Sequence, residues 1–158
     1  MPADDFGCLL GEWTIANRRL RTRLAGARDW EEFESRAVVR PLFGGAANIE
    51  EIYYPADKNY GLTLRVYDPV TERWSLHWAT SDAGRLFPAV LGRFTDGVGE
   101  FFGDDAHQGT PVRVRFVWSG ITAETARWEQ AFSADDGATW ELNWVMDFTR
   151  TGPGESVR

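Results

Sequence analysis

Apolar and polar residues alternate with a period of two along most of this 158-residue chain, the mark of strands with one buried face. The clearest runs are Val112-Val114-Phe116-Trp118 opposite Arg113 and Arg115, and Trp144-Met146-Phe148 opposite Asp147 and Thr149. Trp140 and Leu142 extend the second run toward its start. Ala126-Trp128-Gln130-Phe132 alternates with Arg127 and Glu129, and Trp74-Leu76-Trp78 with Arg73, Ser75 and His77. Leu62-Leu64-Val66 alternates with Arg65 and Tyr67, which predicts an inward Leu64. In the first run Trp13 shares its face with Ile15, Asn17 and Arg19, so that face turns polar along its length. Residues 30–41 leave the inward face open, because Glu32, Glu34 and Arg36 alternate with Phe33, Ala37 and Val39.

The pattern predicts strands over 11–24, 30–41, 46–54, 61–68, 73–80, 86–94, 97–103, 111–118, 125–133 and 138–149. Turn residues separate them: Gly44-Gly45, Pro55 to Asn59, Asp68-Pro69, Asp82 to Gly84, Asp96-Gly97 and Ser119-Gly120. Residues 104–109 read as a longer loop, and residues 3–9 as a short helical turn covering one barrel end. No stretch of ten residues carries a 3.6-residue apolar period. Many short strands joined by tight turns predict an all-β chain, a single antiparallel up-and-down barrel of about ten strands. Closure fits that number, since an open sheet of ten would leave long edges. One domain spans 1–158, with 151–158 expected to be a flexible tail.

Composition narrows the function classes. The net charge of −7, with both signs interspersed, argues against nucleic acid, whose partners carry a clustered basic face. Lys58 is the only lysine among seventeen basic residues, a bias that GC-rich codon usage explains most simply. Cys8 is the only cysteine, so no intrachain disulfide or cysteine metal site is expected. No signal peptide and no membrane-length apolar run is legible, which predicts a cytoplasmic protein. No metal site or resident cofactor is expected either.

Eight Trp, ten Phe and four Tyr must build the core or a cavity wall. Eight strands make a barrel that side chains just fill, so ten predict a residual cavity with aromatic walls. The expected lining is Ile15, Asn17, Arg19, Leu64, Trp78, Phe116, Trp118, Trp128, Gln130 and Trp144. That composition suits a small hydrophobic or aromatic ligand with one polar end. An enzyme using the same cavity, with Glu51, Tyr53 or Arg19 as polar groups, is the competing expectation. A filled barrel that serves as a homodimer is the third.

Three motifs have plainer readings. His77 falls on the expected outer face and His107 in a polar loop, so neither is a clear general base or haem ligand. Glu31-Glu32 and Glu50-Glu51 each put one acid inward, where a salt bridge with an inward arginine such as Arg19 or Arg36 competes with an acid–base role. Ser133-Ala-Asp135-Asp-Gly137-Ala-Thr139-Trp140 matches the Asp-box of sialidase propellers, but a propeller needs a copy in every blade. A single copy predicts a hairpin.

Gly11-Glu-Trp13 opens the first strand and Arg150 closes the last, so an indole plugs one barrel end and a guanidinium packs across it. With Leu10-Gly11-Glu-Trp13, Tyr67-Asp-Pro69 before Trp74, and the Phe132–Trp140 hairpin, the chain resembles the calycin superfamily of lipocalins and fatty-acid-binding proteins. Its closest likeness is to a bacterial lipocalin-like family of ten-stranded barrels, a domain family of unassigned function. The resemblance implies a ligand-binding barrel. Similar barrels act as cyclases, and nitrobindin-like ones bind haem through a histidine; the nitrobindin opening, Gly-Thr-Trp-x-Gly-x-Gly, is not matched here.

Overall fold

The computed structural model describes residues 2–152. A short helix α1 (Pro2–Asp5) and a 3-10 turn (Gly7–Leu9) precede eleven strands. These are β1 (Gly11–Leu20), β2 (Trp30–Leu42), β3 (Ala47–Tyr54), β4 (Asn59–Asp68), β5 (Arg73–Thr80), β6 (Arg85–Leu86), β7 (Val90–Thr95), β8 (Val98–His107), β9 (Thr110–Ser119), β10 (Thr125–Ser133) and β11 (Glu141–Gly152). Every pairing is antiparallel. β1 joins β11, and β4 joins β5, so ten strands close into an up-and-down barrel with β6 as an extra short strand beside β5.

The expected strand over 86–94 appears as β6 and β7, broken at Phe87-Pro88-Ala89. Pro88 has no N–H for the ladder, which accounts for the break. Residues 104–107, expected in a loop, extend β8 instead. The turn is Gln108-Gly109, both at positive φ (49° and 82°), the backbone that a tight hairpin requires. β1 stops at Leu20 rather than at residue 24. Thr151 and Gly152, expected in a tail, belong to β11, and residues 153–158 lie outside the described residues.

The hairpin between β10 and β11 has the hydrogen bonds its residues call for. The Asp135 carboxylate accepts from Ser133 Oγ at 2.7 Å, from Thr139 N at 2.8 Å and from Thr139 Oγ1 at 2.5 Å. These bonds hold the Asp135 carboxyl down at about 2.

One barrel end is sealed. Phe6 and Leu9 of the N-terminal turns are buried against Trp13, Trp74, Phe101, Trp118 and Phe148. Trp13 is 1% exposed, and its Nε1 donates to Leu9 O at 2.7 Å. The Arg150 guanidinium lies 4.3 Å from the Trp13 ring centroid. It donates to Leu10 O at 2.7 Å, to Ala123 O at 2.6 Å and to Cys8 O. Carbonyls at the end of a helical turn lack partners within it, and Arg150 supplies them. Trp13 and Arg150 therefore form the closure. The opposite end is the mouth, where the loops 21–29, 55–58, 81–84 and 134–140 gather.

Candidate functional site

The inward face follows from register. Trp13, Ile15, Asn17 and Arg19 stand opposite Arg150, Phe148, Met146 and Trp144. Across β2 they meet Ala37, Ser35, Phe33 and Glu31, which settles the face that alternation left open. Continuing around, Glu50 pairs with Thr63, Thr63 with Trp78, and Asn48 with Arg65. β4 therefore turns Gly61, Thr63 and Arg65 inward and Leu62, Leu64 and Val66 outward. This reverses the expectation for Leu64. Alternation tells two faces apart but not which one is inside, and on β4 the apolar face is the outer one.

Arg65 and Glu50 form a buried ion pair, each side chain 1% exposed. Arg65 Nη1 also donates to Asn48 Oδ1 at 2.8 Å. The guanidinium is held between two rings, 5.0 Å from the centroid of Phe6 and 5.2 Å from that of Trp118. Thus the N-terminal turn provides one face of the arginine's cage. Among the described residues, Arg65 Nε and the Tyr54 hydroxyl are buried without a hydrogen-bond partner. Burial, followed by the nearby Glu50 charge, pushes the Tyr54 phenol up.

Above the ion pair lies a cavity of about 40 Å³. Glu50, Thr63 and Arg65 bound it on one side, Trp78 and Phe116 among the rings on the others. It holds about three waters at the ~10–15 Å³ each requires, well short of the ~300–1,000 Å³ of ligand pockets. The residual cavity expected of ten strands is present but small, because side chains fill most of the interior. Indoles from five strands reach the axis, and Phe6 and the Arg65 cluster take the bottom.

The expected lining residues divide into three sets. Trp78, Phe116, Trp118, Trp128 and Gln130 do bound the cavity. Ile15, Asn17, Arg19 and Trp144 share the inner face without bounding it; Leu64 is outside. Trp144 Nε1 donates to Asn17 Oδ1 at 2.9 Å, and Asn17 Nδ2 to Ser35 Oγ at 2.8 Å, so Asn17 is a structural bridge. Arg19 lies at the mouth, 4.5 Å from the Phe33 centroid and 4.9 Å from Trp144. It is paired with Glu31 at 3.1 Å and with Asp57 at 3.6 Å. Next to it is an open depression of about 770 Å³, bounded by Asp57, Asn59, Ser81 and Phe87. Trp78, Trp144 and Phe116 are half-buried.

Other expectations need correction. Glu51 is exposed on the outer face, and Tyr53 lies outside against Tyr60, with centroids 5.0 Å apart. Neither can serve an enzyme working inside the barrel. Arg36 is likewise exposed and rests near Tyr53, so Arg65 is the partner of Glu50. His77 stands outside with Nε2 3.1 Å from Ser75 Oγ. His107 is not in a loop: it ends β8, half-buried, 6.0 Å from the Phe132 ring. His77 therefore does not face the cavity, where a haem ligand would have to stand.

Glu50 was expected as a candidate inward acid, but its partner Arg65 is the site residue that alternation missed. A signal was present: an inward Glu50 needs a buried cation. The 55–58 turn then sets the β3–β4 register, and Arg65 is the one basic residue on β4.

No family model matches this chain, and no curated protein matches it. No helix among the described residues is long and apolar enough to cross a membrane.

Proposed function

We propose that this barrel binds a small apolar or aromatic molecule with one polar end, which enters at the Arg19 mouth and seats its polar end toward Glu50 and Arg65. The observation that carries the proposal is the buried ion pair at the foot of an aromatic shaft. A buried pair is seldom worth its desolvation as a stabiliser, and apolar residues of like volume are often as good or better. Its retention amid Trp78, Trp118 and Trp128 supports a role in recognition. The half-buried rings of Trp78 and Phe116 must swing aside to enlarge the cavity, so the ligand replaces side-chain packing rather than water. A calycin relationship, which the closure by Trp13 and Arg150 supports, fits the same proposal.

A second reading is an enzyme of the cyclase or isomerase type. It is favoured by an ionisable pair, Glu50 with Arg65, at the cavity wall. Titrating small aromatic ketones, phenols and terpenoids against tryptophan emission tests the first. Saturable quenching by one of them, abolished in Trp78→Ala, is the expected result. Flat emission across the panel would refute it. Product formation lost in Glu50→Gln, with binding kept, would instead favour the enzyme.

A further inference from the structure

One nitrogen of the Arg65 guanidinium is left unused. Nη1 donates to Asn48 Oδ1 at 2.8 Å and Nη2 donates to Glu50, while Nε is buried with no hydrogen-bond partner among the described residues. A buried N–H without an acceptor is costly, and native interiors hold few of them. Phe6 and Trp118, the rings beside the guanidinium, have no oxygen to offer it. Arg65 also bounds the cavity of about 40 Å³, and so does Glu50. Thr63 and Gln130 are the neutral polar groups of that wall, and the rest of it is aromatic or aliphatic. Among the described residues, Glu50 and Arg65 are therefore the cavity's only charges, and they balance. A carboxylate entering the cavity would reach Arg65 only beside Glu50, and an ammonium would reach Glu50 only beside Arg65. Either adds a charge with no counter-ion to an aromatic interior.

Given a barrel that takes a small apolar molecule, the reading on which this rests, we infer that the molecule is an uncharged carbonyl compound, an aryl ketone or aldehyde, whose oxygen accepts a hydrogen bond from Arg65 Nε. A carbonyl oxygen accepts and cannot donate, and the Nε–H donates and cannot accept, so each completes the other. A neutral polar end also leaves the balance of Glu50 with Arg65 undisturbed. A phenol brings an O–H of its own, which would compete for the Glu50 carboxylate that Arg65 holds. The ring belongs among Trp78, Phe116 and Trp128. Phe116 and Trp128 already meet edge to face with centroids 5.0 Å apart, and an aryl group extends that packing.

Acetophenone, benzoate, ethylbenzene and ethylphenol share a ring and differ in the polar end. Each is titrated at about pH 7, where benzoate is ionised, and followed by the indole N–H shifts in proton–nitrogen NMR spectra. Acetophenone is expected to bind at least about tenfold more tightly than the other three, the worth of a hydrogen bond to a charged donor. Its carbonyl stretch in the infrared is expected to fall, on binding, below the frequency it has in hexane. In Glu50→Leu/Arg65→Met, which removes the donor and both charges together, acetophenone and ethylbenzene are expected to bind alike and the bound carbonyl to return to its hexane frequency. The ranking and the infrared shift are read on wild type, so they stand whether or not that variant folds. Benzoate, ethylbenzene or ethylphenol binding as tightly as acetophenone, or a bound carbonyl at its hexane frequency in wild type, would overturn the inference and leave a small-molecule barrel in place. No saturable shift with any of the four would overturn it together with the reading it rests on.

Discussion

Glu50→Leu leaves the Arg65 guanidinium 1% exposed, with Asn48 as its remaining hydrogen-bond partner. Removing one member of a buried pair costs about 3–5 kcal/mol, because the other charge stays buried and uncompensated. Arg65→Met has a similar expected cost, since it strands the Glu50 carboxylate and also gives up two cation–π contacts of about 0.5–2 kcal/mol each. The double variant Glu50→Leu/Arg65→Met behaves otherwise. It strands only Asn48 Oδ1, at about 1–3 kcal/mol. Against that stands a gain of about 1–4 kcal/mol when an apolar pair replaces an ionic one. The double variant is therefore expected within about 2 kcal/mol of wild type, far above the sum of the singles. Urea unfolding followed by tryptophan fluorescence, extrapolated linearly, measures all four corners of this cycle. A double variant as unstable as the two singles added together would refute the reasoning. Each side chain would then be stabilising through its own packing, and the pair would need no functional explanation.

Three further outcomes are expected. Trp13→Ala, at a fully buried closure residue, should lower stability by about 3–5 kcal/mol in the same urea assay, and a loss under about 1 kcal/mol would mean the plug does not hold the barrel. A methyl at Gly61 would run into the Trp78 ring, so Gly61→Ala should shift that indole, change the near-ultraviolet circular dichroism and destabilise by about 1–3 kcal/mol; an unaltered spectrum would contradict the packing. Asp135 has a folded carboxyl at about 2 against an ordinary 3.8, so its contribution is full above the ordinary value and is lost as pH falls through about 2. Asp135→Asn should accordingly flatten the loss of urea midpoint between about pH 4 and pH 2, whereas parallel wild-type and variant curves would show that the hairpin carboxylate is not responsible.

Barrel architecture was legible because it depends on period and punctuation, both local. Trp74, Leu76 and Trp78, or Val112 to Trp118, each put one apolar face inward, and the closure by Trp13 and Arg150 needed only their positions at the chain's two ends. What failed was the sidedness of β4. There Leu62, Leu64 and Val66 are an apolar outer face, and the inner one carries Thr63 and Arg65. Similarly, Leu142 shares parity with Trp144 yet is 37% exposed, because the pairing with β10 slips between Gln130 and Ala131 and turns Leu142 outward. The ion pair of Glu50 with Arg65 depends on a β3–β4 register that alternation within one strand does not contain. The size of the cavity was beyond reach for a different reason: it depends on how far Phe6 and five strands' indoles extend to the axis.

Native mass spectrometry of the protein from its own host tests most directly whether the barrel holds a small molecule. The account predicts a bound mass of one small apolar compound per chain, present in wild type and absent from the folded Glu50→Leu/Arg65→Met variant. Chain mass alone in the wild type, or a compound retained equally by that variant, would contradict it.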